Sequence, residues 1–151
     1  NDSQFISYND DSNENASTKE SDAIADIEEK LDVKMPEFYY RPYGMEFSKY
    51  IINPAADIAR IKYLYEEGNI YFYIDKQQTK KASNISSLNG NEKVIDTISV
   101  DNIEVLLKEM DDSQDEKMTY IADWKYDDVV YHIVGKLELK ELKKIIKEMK
   151  F

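Results

Sequence analysis

The spacing of apolar residues changes twice along the chain and divides it into three stretches. Helical spacing predicts a helix over about residues 19–32, with Ile24, Ile27 and Leu31 on one stripe. Between residues 38 and 134, tyrosine and β-branched residues alternate with polar residues between turn signals, which predicts strands. An amphipathic pattern returns over about 138–150 and predicts a second helix. We therefore expect an α+β fold, with a helix at each end packed on a twisted antiparallel sheet of about six strands.

Hairpin turns set the expected strand register, because a slip of one residue would move every apolar side chain to the other face. The opposite face is more polar but still carries Ile121 and Val130, so we expect it to be partly covered. The expected two-residue loops and the pairs they predict are Glu67-Gly68 with Tyr63 opposite Phe72, Asp101-Asn102 with Ile98 opposite Val105, and Asp127-Asp128 with Trp124 opposite Tyr131.

Charge is distributed unevenly along the 151 residues, whose formal net charge is −11. Residues 1–37 hold 11 acids and 3 bases, a net −8, which leaves 20 acids and 17 bases, a net −3, in the remainder. We interpret residues 1–20 as an acidic polar leader and 21–151 as a single α+β domain. Nucleic acid is not an expected partner, since its binding depends on basic residues that neutralise phosphates.

Cysteine is absent from the sequence, which excludes thiol nucleophiles, disulfides and cysteine-based metal sites. A chain without thiols suits an oxidising exterior. Because the sequence starts at Asn1 without a methionine, we expect a preceding segment that carries a signal or a membrane anchor.

The C-terminal third carries a recognisable residue pattern. Trp124 and Tyr131 are followed by Gly135-x-Leu137 and then by a helix that contains Leu142 and Ile146. This pattern resembles the end of an uncharacterised domain, a domain of unknown function, of Gram-positive bacteria. The resemblance implies an extracytoplasmic part of membrane proteins or lipoproteins, some of them anti-sigma-factor-like. It implies no catalytic residue and no cofactor.

Catalytic and metal-binding motifs do not stand out. His132 is the single histidine, and we interpret it as a sheet residue that is either hydrogen-bonded or half exposed. The acidic segment 111–116 resembles a calcium loop but has Glu116 where the turn-forming glycine belongs, so we interpret it as a solvated loop. We therefore expect no enzyme activity, no metal and no cofactor.

Twelve tyrosines are the compositional oddity of this chain. Tyrosine is common on sheet surfaces, but its amphipathic ring also suits contact with proteins or ligands. The candidate interaction surface consists of Tyr39, Tyr40, Arg41 and Tyr43, together with Tyr71 and Tyr73.

Two functions remain open from these observations. The first is a non-enzymatic interaction or sensing domain outside the cell, held at the membrane by an upstream anchor, with an unknown protein or small ligand as its partner. The alternative is a carrier of the lipoprotein type that holds a small apolar ligand in a curved-sheet cavity.

Overall fold

The computed structural model describes residues 19–76, 92–111 and 117–151. Residues 1–18 of the predicted leader, the turn signal at 89–91 and residues 112–116 of the calcium-like segment lie outside the described residues. In chain order the elements are α1 (Glu20–Leu31), β1 (Glu37–Phe38), β2 (Glu46–Asn53), β3 (Ile58–Tyr65), β4 (Gly68–Asp75), β5 (Glu92–Val100), β6 (Ile103–Met110), β7 (Thr119–Tyr126), β8 (Val129–Gly135), α2 (Leu139–Lys147) and β9 (Met149–Lys150).

Within the described residues, seven strands form an antiparallel sheet in the order β2-β3-β4-β8-β7-β6-β5. The sheet consists of two meanders, β2–β4 and β5–β8, joined where β4 pairs with β8. The strands β1 and β9 form a separate two-stranded sheet. The α+β class and the antiparallel sheet are confirmed, while the main sheet has seven strands where about six were expected.

Two of the three predicted hairpins have the predicted register. Ile98 lies opposite Val105, and Trp124 lies opposite Tyr131. All four residues of these loops have positive φ, between 48° and 69°, which Asp and Asn tolerate better than most residues. The turn chemistry of the sequence therefore determines these two hairpins.

The third hairpin is shifted by two residues. The loop is Glu66-Glu67 rather than Glu67-Gly68, so Tyr63 lies opposite Ile70, and not opposite Phe72 as predicted. Glu66 adopts the positive φ of 53°, and Gly68 lies in the strand. A shift of two keeps every side chain on its predicted face, which is why alternation alone cannot detect it.

The main core lies between one face of the sheet and the two helices. Ile27 and Leu31 of α1 and Leu142 and Ile146 of α2 are buried in it. At its centre Trp124 stacks on the neighbouring rings, 5.6 Å from Tyr131 and 5.9 Å from Phe72 between ring centroids. Burial of aliphatic and aromatic side chains from both layers is the main source of stability.

The C-terminal helix is shorter than its apolar pattern predicts, because α2 ends at Lys147. The residues that follow leave the helix, and Met149 and Lys150 pair with Phe38 and Glu37. Met149 is buried, as expected for its position in the apolar stripe, but it contributes to the core from a strand.

Candidate interaction site

The loop between β1 and β2, residues 39–45, is named here the tyrosine loop. Arg41 fixes it to the start of α1 through two parallel hydrogen bonds, in which its Nη1 and Nη2 donate to the Glu20 carboxylate at 2.7 and 2.6 Å. Tyr63 of β3 donates to the same carboxylate at 2.7 Å. Burial and the neighbouring Glu20 raise the pKa of Tyr63 well above its ordinary value, so the phenol stays a donor.

A second set of contacts fixes the tyrosine loop to α2. The Tyr40 hydroxyl donates to the Glu141 carboxylate, and the Lys144 ammonium lies 4.4 Å from the centroid of the Tyr40 ring. The hydrogen bond to Glu141 raises the pKa of Tyr40. Backbone bonds add to this, since Tyr39 N–H donates to the Glu148 carbonyl at 3.2 Å.

The remaining two tyrosines of the loop face solvent. Tyr39 is 67% exposed and Tyr43 is 101% exposed, whereas Pro42 between them is buried. The predicted cluster is therefore divided by role. Tyr40 and Arg41 use their polar groups to hold the loop, and Tyr39 and Tyr43 are presented by it.

The other two predicted surface residues lie elsewhere. By strand alternation, Tyr71 and Tyr73 project from the sheet face opposite the helices. Tyr73 is buried, and the half-buried Tyr71 has the Arg60 guanidinium 4.9 Å from its ring centroid. The structure therefore does not bring these two residues together with the tyrosine loop.

The residues of the C-terminal pattern are structural. Trp124, Tyr131, Leu137, Leu142 and Ile146 are all buried in the main core. The pattern's glycine, Gly135, is explained by space, because a Cβ there would lie 2.9 Å from Cγ1 and 3.3 Å from Cα of Ile70.

A row of ionisable side chains crosses four strands on the second face of the sheet. This polar row consists of Glu92, Lys108, Asp123 and His132. Lys108 Nζ lies 3.3 Å from Glu92 Oε1 and 2.8 Å from Asp123 Oδ2, and His132 Nδ1 lies 2.6 Å from Asp123 Oδ1. None of the four side chains is more than 6% exposed. The second face is thus buried around these charges, more completely than the sequence indicated.

Electrostatics inside the polar row favour the charged forms of Asp123 and Lys108. Burial alone would raise the pKa of Asp123, but His132 and Lys108 outweigh it and lower that pKa. Burial would likewise lower the pKa of Lys108, and Asp123 and Glu92 outweigh it and raise that pKa. His132 is the hydrogen-bonded sheet residue that one of the two sequence interpretations predicted.

A pocket of about 340 Å³ opens at the end of the sheet where α2 begins. Three apolar side chains line it, namely Met118, Leu137 and Leu139. The rings of Tyr65 and Tyr120 add aromatic surface, and Glu66, Lys117 and Glu138 surround the opening. The sequence did not indicate this site, because its residues come from three segments that are distant along the chain, 65–66, 117–120 and 137–139.

Residues 35–149 match the family model described as a domain of unknown function, DUF4367. The chain belongs to this family. The matched range of the DUF4367 domain includes every residue of the C-terminal pattern, the tyrosine loop, the polar row and the pocket, whereas α1 precedes it. The resemblance to an uncharacterised domain is thereby confirmed.

Two further comparisons give no similar protein. Neither the curated proteins nor the solved structures contain a match to this DUF4367 domain. Among the residues that the structure describes, no helix is long and apolar enough to cross a membrane.

Proposed function

We propose that this chain is a non-enzymatic interaction or sensing domain that works outside the cell membrane, anchored there by an upstream segment. The observation that carries the proposal is the tyrosine loop, where two exposed aromatic side chains stand on a backbone that side chains of α1 and α2 hold in place. The resemblance to extracytoplasmic domains of membrane proteins and lipoproteins and the absence of cysteine support the compartment.

Rigid presentation is what makes exposed tyrosines suitable for recognition. Tyrosine supplies a large amphipathic contact area and loses little side-chain entropy on binding. A loop that is already ordered avoids a further entropy cost when a partner binds. Arg41 and Tyr40 provide that order, and Tyr39 and Tyr43 provide the contact area.

Location is tested by fractionation of the source cells with an antibody to the domain. We expect the full-length protein in the membrane fraction and digestion of the domain when protease is added to intact cells. The measured intact mass then shows what is attached. A protein found only in the cytosol, or one that resists protease until the cells are lysed, would overturn the proposal.

The site is tested with Tyr39→Ser/Tyr43→Ser in the full-length protein. We expect the detergent-solubilised wild type to migrate as a high-mass complex on native electrophoresis. Because both side chains are exposed, we expect the double variant to lose that complex while its thermal unfolding is unchanged. Lys125→Ser, at an exposed position of β7, is the matched control. An undiminished complex in the double variant would remove the tyrosine loop from the proposal.

The pocket supports a second function, the carrier of a small ligand. Its volume of about 340 Å³ is at the lower end of the range that small-molecule sites occupy. Organic extraction of the purified protein followed by mass spectrometry tests this function. Reproducible recovery of one compound at near one mole per mole would support it, and recovery of none would count against it.

A further inference from the structure

The pocket beside α2 has apolar and charged side chains in different parts of its lining, and this arrangement indicates the charge of its ligand. Its inner wall is apolar and aromatic, formed by Met118, Leu137, Leu139 and the rings of Tyr65 and Tyr120. Its charged groups stand at the opening, where Glu66, Lys117 and Glu138 are all exposed. A ligand that fits must therefore bury an apolar body and leave a polar or charged end near the opening.

The charges at the opening favour a positive end. Lys117 Nζ lies 2.8 Å from Glu66 Oε1, so this ammonium is already paired with a carboxylate of the pocket. The Glu138 carboxylate lies 3.8 Å from Lys140, and both of these side chains are more than 70% exposed. An exposed pair at that distance is weak, so the Glu138 carboxylate is accessible to a ligand cation.

Three positive features oppose this preference. The N-terminus of α2 contributes about half a positive charge, and Lys117 and Lys140 contribute one each. Against them stand the carboxylates of Glu66, Glu138 and Glu141, the last held against Tyr40. Burial is the largest cause that raises the pKa of Tyr65 in the wall, and the same three carboxylates raise it further despite the opposing Lys117.

We propose that the pocket binds a primary ammonium group carried on a compact apolar or aromatic body. The apolar body packs against Met118, Leu137 and Leu139, and the ammonium pairs with Glu138 at the opening. The rings of Tyr65 and Tyr120 extend the wall against which the apolar body packs. This inference deepens the carrier function, because it names the chemical class of the ligand.

Three probes of matched size and different charge test the inference. These are 2-phenylethylamine, 2-phenylethanol and 3-phenylpropionate, each titrated into the purified domain labelled at its methionine methyl groups. We expect the amine to shift the Met118 methyl resonance in NMR spectra and to bind at least about fivefold more tightly than the carboxylate. Equal or tighter binding of the carboxylate, or an amine that leaves Met118 unmoved, would overturn the inference.

Variants locate the two parts of the ligand. Glu138→Gln should weaken binding of the amine by about two- to fivefold and leave 2-phenylethanol unaffected, as expected for loss of one exposed ion pair. Leu139→Ala should weaken both. Glu29→Gln, at an exposed position of α1, is the matched control and should change neither. If Glu138→Gln leaves the amine affinity at the level of Glu29→Gln, the assignment of the cation to Glu138 is wrong.

The source of the ammonium is distinguished by a further probe, the peptide acetyl-Phe-Lys-amide. Tighter binding of the peptide would assign the group to a lysine side chain of a protein partner, and tighter binding of 2-phenylethylamine would assign it to a free amine. The carrier function has its own test, which is the extraction of the native protein. If extraction yields no compound although the amine still binds, the carrier function is wrong and the ammonium site stands.

Discussion

Replacement of Lys108 by methionine removes the central charge of the polar row and keeps most of the buried side-chain volume. Lys108 lies between Asp123 at 2.8 Å and Glu92 at 3.3 Å, and its side chain is 6% exposed. Without the ammonium, Asp123 keeps its contact with His132 but loses its ion pair with Lys108. Removal of one partner of a buried ion pair typically costs about 3–5 kcal/mol.

We expect Lys108→Met to lower the free energy of unfolding by about 3 kcal/mol, at the lower end of that range because methionine packs well against apolar neighbours. For a domain of this size such a loss corresponds to a decrease in melting temperature of about 6–12 °C. Urea unfolding followed by circular dichroism measures the first quantity, and a thermal scan measures the second.

The matched control is Lys125→Met on the same sheet face, where the side chain is exposed and the change should stay within about 0.5 kcal/mol. The double variant Lys108→Met/Asp123→Asn should be more stable than the sum of the single variants predicts, because the two charges interact directly. If Lys108→Met is as stable as Lys125→Met, the polar row contributes nothing to folding and the reasoning fails.

Three further predictions follow from local geometry. Gly135→Ala should lower the free energy of unfolding by about 1–3 kcal/mol in urea unfolding, since its Cβ would lie 2.9 Å from Cγ1 and 3.3 Å from Cα of Ile70. An unchanged midpoint would contradict this expectation. Asn102 has a φ of 69°, so Asn102→Gly should raise the free energy of unfolding slightly, whereas Asn102→Val should lower it by about 1–2 kcal/mol in the same assay. A valine variant as stable as the wild type would show that the turn does not need this conformation. Because the pKa of Asp123 is lower in the folded state, its ionised form stabilises the fold above about pH 4, and that contribution is lost as the pH falls below this value. Unfolding measured between about pH 5 and 2 should therefore decline less steeply for Asp123→Asn than for the wild type, and parallel curves would refute the assignment.

The sequence predicted most of the fold because turns and apolar alternation depend on residues that are neighbours along the chain. The turns at Asp101-Asn102 and Asp127-Asp128 combine a residue type that tolerates positive φ with apolar alternation on both sides, and together these determine the register. At the third hairpin, Gly68 suggested a loop at Glu67-Gly68, but the loop is Glu66-Glu67 and Gly68 lies in the strand. The two-residue strands β1 and β9 are too short to show any period, so the sequence indicated neither of them.

The candidate sites depend on long-range adjacency, which the sequence carries only weakly. The members of the polar row come from four strands, and their alignment requires the register of three strand pairs at once. Alternation alone places Lys108 and Asp123 on the more polar, partly covered face, but it does not show that their charges meet there. The composition of the tyrosine loop marked it as a candidate surface, which stays a prediction. The division between Tyr40, bonded to Glu141, and the exposed Tyr43 depends on where α2 lies.

The most direct test of the account is photo-crosslinking in the source cells, with a photoreactive amino acid at position 43 of the full-length protein. The control variant of the same protein carries the photoreactive amino acid at position 125, which is exposed on β7, away from the tyrosine loop. The account predicts a discrete crosslinked product from position 43 that forms outside the membrane and is absent from position 125. Identical products from both positions, or none from position 43, would contradict the claim that the tyrosine loop recognises a partner.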